Sequence, residues 1–278
     1  MKKFSLLLFA FLFTALTFAQ KREKIKGSKI VKTVQKEIQV FENLEVEDNL
    51  EVYLIKGETQ SLEIEADDNL QDIIEADLNG TTLRLYTSKE ITVAKKITVR
   101  VTYTGSLKNI TAKHETRLYA VNDLQLDTVT VTNLDFSKSF LNVKAVNFNL
   151  VMNDKTKAEL NIKADNTTIE LSKNASLKAL VASPSLKCDM YQKTTAVIEG
   201  DAATAQLRID NTAEFTGKKF TVKNMELTAE SYSKCDILIT ETLTLSASGK
   251  TQISLYGTPA GVTMKKFADS AVIFKKQE

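Results

Sequence analysis

One histidine, two cysteines, nine glycines and no tryptophan in 278 residues leave few ways to build a conventional active site. A Ser-His-Asp triad needs a nucleophile on a strained, usually Gly-flanked turn, and no such motif surrounds His114 in Ala112-Lys113-His114-Glu115-Thr116. One His with two Cys at apolar-patterned positions cannot assemble a conventional zinc site. Gly-rich phosphate loops, the dinucleotide fingerprint and the calcium-binding Gly-Gly-x-Gly-x-Asp repeat are all missing. The lack of Trp is unusual for a carbohydrate-binding β-protein, whose stacking platforms are commonly Trp or Tyr. Charge of one sign is lacking too: 37 Lys+Arg against 35 Asp+Glu give +2, which argues against a nucleic-acid footprint over the whole surface. The sequence therefore points to no catalytic residue, no cofactor and no metal.

A single long apolar run is present, at the start. Lys2 and Lys3 precede the apolar stretch Ser5 to Phe18, and Thr17-Phe18-Ala19 before Gln20 has the small residue of a cleavage point. Residues 1–20 read as a secretory signal rather than a spanning helix, because the stretch is short for a bilayer and polar residues follow at once. No Cys stands at the cleavage point, which disfavours a lipoprotein anchor, and no second stretch of spanning length follows. Residues 21–37 form a basic leader, with seven Lys/Arg against Glu23 and Glu37. It could touch an anionic surface or simply act as a solubilising, disordered arm.

What the chain has in quantity is alternation. Between Leu107 and Tyr256, apolar doublets begin at Ile110, Val129, Phe148, Ile169, Leu186, Leu207, Met225 and Leu243. Their mean step is about 19 residues, close to the shortest solenoid repeats. Each doublet alternates apolar with polar, as a strand with one buried face does, and polar corners separate it from a second apolar pair. A repeat of about 20 residues with two or more strands per turn is the signature of a β-solenoid. We expect about eight short coils over residues 106–257, stacked about 4.8 Å apart. At that spacing Cys188 and Cys235, between two and three coils apart, are beyond disulfide reach and read as buried free thiols.

Residues 38–105 read as strands joined by polar turns, with one helical turn expected within Asp67–Glu75. The order of elements here is informative. Phe41-Glu42-Asn43-Leu44-Glu45-Val46 is followed by Leu50-Glu51-Val52-Tyr53-Leu54-Ile55-Lys56-Gly57, then Asn79-Gly80 with Leu83-Arg84-Leu85, and a strand from Ile97 to Tyr103. Leu107-Lys108-Asn109-Ile110 comes next, and Leu245-Ser246-Ala247-Ser248-Gly249 with Tyr256-Gly257-Thr258-Pro259 closes the series. This order resembles the exported bacterial family described as putative autotransporter adhesin, head GIN domain, over roughly residues 26–275. The resemblance implies an all-β fold, a right-handed parallel β-helix whose first strands cap or extend it, and a role in adhesion. Members commonly carry Ser-Gly-Ala-Gly-like corners, but here only Ser248-Gly249 keeps the pattern. Corners such as Lys155-Thr156, Lys193-Thr194 and Ser233-Lys234 therefore predict wider, irregular turns.

Candidate chemistry is sparse. Asp135 and Asp154 share a register, as do Asp189 and Asp210, while Asp236 stands apart; paired carboxylates on neighbouring coils would suit a glycosidase. All sit among turn-forming residues, where solvated carboxylates are ordinary. Asn109, Asn133, Asn147, Asn166, Asn211, Thr130, Thr168 and Thr212 would form ladders along the coils, serving the turns or presenting amides and hydroxyls to a glycan. Tyr119, Tyr191, Tyr232 and Tyr256 would make a sparse stacking strip. Residues 258–275 are expected to cap the solenoid. The reading is a single domain, 38–275, of a non-enzymatic envelope protein presenting a solenoid surface for adhesion or assembly. It is exported to the periplasm or surface of a Gram-negative-type cell. An envelope glycan or protein is the expected partner and self-association is open, with no nucleic acid and no membrane span in the mature chain. The alternative is a carbohydrate-active enzyme with a β-helix groove.

Overall fold

The alternation along the chain becomes parallel strands because each coil sets its inward doublet directly beside the next one. In the computed structural model, which describes residues 22–277, Ile110 lies beside Val131, and the column continues through Leu150, Ile169, Cys188, Leu207, Leu227 and Leu245. The steps along it are nearly constant, four of them in succession equal, and more regular than the sequence alignment of doublets. That alignment started five coils two positions early, at Val129, Phe148, Leu186, Met225 and Leu243. A slip of two keeps the same face inward, so the core set was right while the columns were not. All eight column residues are buried. Each fully buried aliphatic side chain contributes about 1.5–3 kcal/mol relative to exposure.

The column divides every coil in the same way. Four residues on is a corner with left-handed backbone: Asp48, His114, Asp135, Asp154, Lys173, Gln192, Asn211, Ser231 and Gly249 have φ between 48° and 76°. The corners are thus uniform and tight rather than wide, and polar residues other than Gly occupy all but one of them. A left-handed residue costs about 1–2 kcal/mol, and the inter-coil ladder offsets it. Lys157 N donates to Ser137 O at 3.1 Å, Ser176 N to Thr156 O at 2.9 Å and Glu214 N to Thr194 O at 2.9 Å. Six residues on is a small side chain folded inside the corner: Thr116, Ser137, Thr156, Ala175, Thr194, Ala213, Ser233 or Thr251, all buried. Thr116 Oγ1 donates to Val46 O at 3.3 Å. The hydroxyls of Ser137, Thr156, Thr194, Ser233 and Thr251 find no partner among the described residues.

The first coil, strands Asn43–Val46 and Glu51–Lys56, lies between two neighbours that both follow it in sequence. On one side it pairs with Asn109–Ala112 and Arg117–Ala120 of the next coil. On the other it pairs in parallel with Thr82–Thr87 and Ile97–Tyr103. Antiparallel strands extend that end: Ile74–Asn79 beside Thr82–Thr87, and Ser61–Asp67 between Ile97–Tyr103 and Val31–Lys36. The one helical segment among the described residues is a 3-10 turn, Asp68–Leu70. Gln60 clamps the crossover back to the second coil, its amide donating to Phe41 O at 2.9 Å and to Ser106 Oγ at 3.2 Å.

Two expectations at the ends change. From Arg22 on, the basic leader is ordered: Lys24–Lys26 pairs with Glu90–Val93, Val31–Lys36 with Ser61–Asp67, and Arg22 Nη1 meets Asp48 Oδ2 at 2.6 Å. Buried Asp67 accepts the backbone N–H groups of Lys29, Lys95 and Lys96. Residues 258–275 form a further coil, Gly261–Phe267 and Val272–Lys275, paired in parallel with the one before. The solenoid therefore has about nine turns rather than eight. Its last coil leaves Val262, Met264, Phe267 and Phe274 exposed. The secretory signal read in residues 1–20 lies outside the described residues.

Candidate functional site

Nine positions after each column residue, an outward side chain stands on the second sheet, and these stack as Tyr53, Tyr119, Phe140, Glu159, Lys178, Val197, Thr216, Asp236 and Ser254. The ladder spacing imposes the ring spacing. Tyr53 and Tyr119 centroids are 4.9 Å apart with planes 15° from parallel, and Tyr119 and Phe140 are 5.1 Å apart at 11°. Tyr53 Oη donates to Glu51 Oε1 at 2.6 Å, and that bond, with burial, pushes the phenol up to about 12.

The aromatic stack ends at Phe140, and a groove of about 560 Å³ begins there. Its walls are Phe140, Asn142, Asn161 and Leu180, with the Glu159–Lys178 pair and Val197 along the same face. Tyr119 covers one face of Phe140, so the other meets the groove. Leu180 is 50% and Val197 39% exposed, large apolar groups left open on a regular sheet. An aromatic face flanked by two carboxamides and an ion pair can stack on a sugar ring while hydrogen-bonding its hydroxyls. Glu159 and Glu199 both line this groove, but they are 59% and 48% exposed at the side chain and lie 3.8 and 3.3 Å from Lys178 and Lys219.

The residues singled out from sequence are scattered by comparison. Asp135 and Asp154 do share a register, as left-handed corner residues lining separate shallow clefts. Asp189 and Asp210 do not: Asp189 sits in a strand between Glu170 and Arg208, whereas Asp210 begins a turn and accepts from Ser231 Oγ at 2.6 Å. The slip of two positions created that pair. Asp236 faces outward between Thr216 and Ser254. The ladders exist as inter-coil bonds, with Asn147 Nδ2 donating to Thr128 Oγ1 and Asn166 Nδ2 to Asn147 Oδ1, both at 3.1 Å. Asn133 is instead buried against Ser139, and Asn211 and Thr212 make a corner. Of the four tyrosines only Tyr119 joins a stack; Tyr191 lies under Arg208 and Tyr232 under Lys250. Tyr53 and Phe140, its partners, were legible as residues nine positions after Leu44 and Val131, once the columns are right. Cys188 and Cys235 are free and buried, in different columns, and burial pushes both thiols well up.

Comparison with known proteins agrees with this geometry. The family model described as "Putative auto-transporter adhesin, head GIN domain" matches residues 40–259. No curated protein matches the chain. Among solved structures, a putative adhesin from Parabacteroides merdae is 19% identical with a TM-score of 0.59, covering 90% of this chain and 98% of its own. A putative adhesin from Parabacteroides distasonis is 14% identical with a TM-score of 0.64, covering 90% and 99%. A protein from the same species, titled a putative lipid binding protein, is 15% identical with a TM-score of 0.58, covering 90% and 98%. At these identities the likeness is one of fold.

Proposed function

The chain belongs to the family of the putative auto-transporter adhesin, head GIN domain, and on that premise we propose that it is an exported, non-enzymatic adhesion protein whose groove beside Phe140 takes a glycan of the cell envelope. Export rests on the signal-like residues 1–20, and adhesion on the family. The observation that carries the ligand class is the aromatic face of Phe140 set beside Asn142 and Asn161 in an open groove. A rigid parallel sheet suits this role, since ligand binding then orders almost nothing on the protein side. The alternative of a carbohydrate-active enzyme keeps only the Asp135/Asp154 pair, whose members line separate clefts, and the groove's own carboxylates are solvated and lysine-paired.

The test is binding of the mature chain to a glycan array and to purified envelope polysaccharides. Wild type should bind a restricted set, and Phe140→Ala and Asn161→Ala should each lose at least about fivefold, from lost stacking or an unpaired hydroxyl. Binding undiminished in both variants would remove the groove from the proposal, and hydrolysis or elimination of a bound glycan would replace adhesion with catalysis.

A further inference from the structure

We propose that the stacked corners at the N-terminal end of the solenoid form a divalent transition-metal site of the zinc class, with Glu47, Asp48 and His114 as ligands and Asp135 as the group that orients the histidine. Asp48, His114 and Asp135 occupy the same corner position in three successive coils, each with left-handed backbone. Stacking therefore brings the only histidine of the chain between carboxylates from the coil before and the coil after. His114 Nδ1 is 3.7 Å from Glu47 Oε2 and 3.7 Å from Asp48 Oδ1, and one ligand atom from each of the three residues lies within 4.8 Å of the others. Ligand atoms around a tetrahedral ion bound at 2.0–2.1 Å are about 3.4 Å apart, so the two histidine gaps close by a few tenths of an ångström and the Glu47–Asp48 gap by at most about 1.4 Å.

The opposite nitrogen makes a second, separate argument. His114 Nε2 faces Asp135 Oδ2 at 3.6 Å. A carboxylate on one ring nitrogen fixes the tautomer that turns the other nitrogen's lone pair to a metal. One His with two carboxylates suits borderline ions such as Zn²⁺ better than Mg²⁺ or Ca²⁺. The remaining coordination position opens into a cleft of about 620 Å³ lined also by Arg22, Asn49, Ile91 and Phe136. Nearby cations leave one Asp48 oxygen open, while both Glu47 oxygens already accept from Arg84, and a metal would share Glu47 with Arg84 through the remaining lone pairs. Arg22 Nη1 and Thr87 N take Asp48 Oδ2, so Asp48 Oδ1 stays free. Glu47 is buried, its Oε1 and Oε2 accepting from Arg84 Nε at 3.2 Å and Nη2 at 3.0 Å, with Lys113 Nζ 3.6 Å from Oε1. The charges facing the imidazole are Glu47, Asp48, Asp135 and Glu115 against Arg22, Arg84 and Lys113, a net negative set.

The experiment is calorimetric titration of the chelator-treated mature chain with Zn²⁺, repeated with Mg²⁺ and Ca²⁺, together with visible spectra on adding Co²⁺. Expected are one Zn²⁺ per chain, a Co²⁺ spectrum of low-symmetry coordination, and a melting temperature raised by Zn²⁺. His114→Gln and Asp48→Asn should each weaken Zn²⁺ binding by more than about tenfold, and Asp135→Asn by about tenfold. The melting temperatures of the metal-free variants serve as the folding control. A variant that melts well below wild type without metal would be replaced by His114→Asn, which keeps a polar residue at the left-handed corner. No saturable Zn²⁺ uptake at micromolar concentrations would overturn the proposal. So would equal affinity in wild type and His114→Gln, or tighter binding of Ca²⁺ than of Zn²⁺.

Discussion

Thr156, Thr194 and Thr251 lie fully buried inside their corners, and none of their hydroxyls has a partner among the described residues. Exchanging each for Val keeps the β-branched shape that fits the corner and deletes one buried, unpaired hydroxyl. Burying such a group costs about 1–3 kcal/mol, so each exchange should stabilise by about 1–2 kcal/mol. Thr156 and Thr194 are two coils apart, and Thr194 and Thr251 three, so separations of about 10 Å or more make the effects nearly additive. The triple variant should gain about 3–6 kcal/mol. At about 2–4 °C per kcal/mol for a chain of this size, its melting temperature should rise by roughly 6–24 °C. Circular dichroism and urea titration on the same samples would measure it, with an unchanged urea slope showing that only stability moved. Destabilisation of the triple variant by more than about 1 kcal/mol would refute the reasoning and show the hydroxyls to be paired in solution. A loss confined to one site would locate that partner.

Other outcomes follow from particular residues. Gly200 has φ 109° and a Cβ there would sit 2.0 Å from Val181 O, so Gly200→Ala should cost at least about 2 kcal/mol in chemical denaturation. Burial would raise the Glu47 carboxyl, but Arg84, Glu45 and Lys113 together outweigh it and lower the group to about 2. A depressed pKa stabilises above the unfolded value near 4.5, and the contribution, up to about 3 kcal/mol, is lost as pH falls from about 5 to 2. Glu47→Gln should flatten that part of the pH–stability curve, though at lower stability throughout. Buried Asp67, whose burial is outweighed by backbone N–H bonds that lower its pKa, adds to the same acid window. Cys188 and Cys235 should react with a thiol reagent only on unfolding; rapid labelling of the native chain would contradict their burial.

The solenoid was readable because burial writes itself into the sequence with period 2, and coil length into the spacing of corners. Period 2 is also why the register was not: Val129 and Val131, or Phe148 and Leu150, point inward alike, and only the facing strand selects which one aligns with Ile110. Readings that compared a slipped coil with an unslipped one were displaced with it. The Asp189/Asp210 pair was an artefact of alignment, and the Tyr53–Tyr119–Phe140 stack stayed hidden because its members fall in three coils with unequal steps. The corner residues were hidden for another reason. Lys173, Gln192 and Ser231 are poor advertisements for left-handed backbone, and inter-coil hydrogen bonding imposes it on them. The zinc reading from sequence weighed His and Cys only, and carboxylates brought together by stacking carry no spacing signal.

The two ends of the rod differ, and the difference gives it a direction in time. The first coil is covered on its outer side by strands that follow it in sequence, up to Tyr103, so this end closes once about a third of the chain is available. Each later coil then docks only on its predecessor, through contacts one turn back along the chain. A chain released N-terminus first can therefore fold as it emerges, each docked coil serving as the template for the next. Among the described residues the last coil, with Lys265, Lys266 and Lys275 along its strands, carries no strand on its outer side and should fray first. Amide exchange should accordingly slow from Gly261–Phe267 towards the interior coils, recording in the finished molecule the order in which it was laid down.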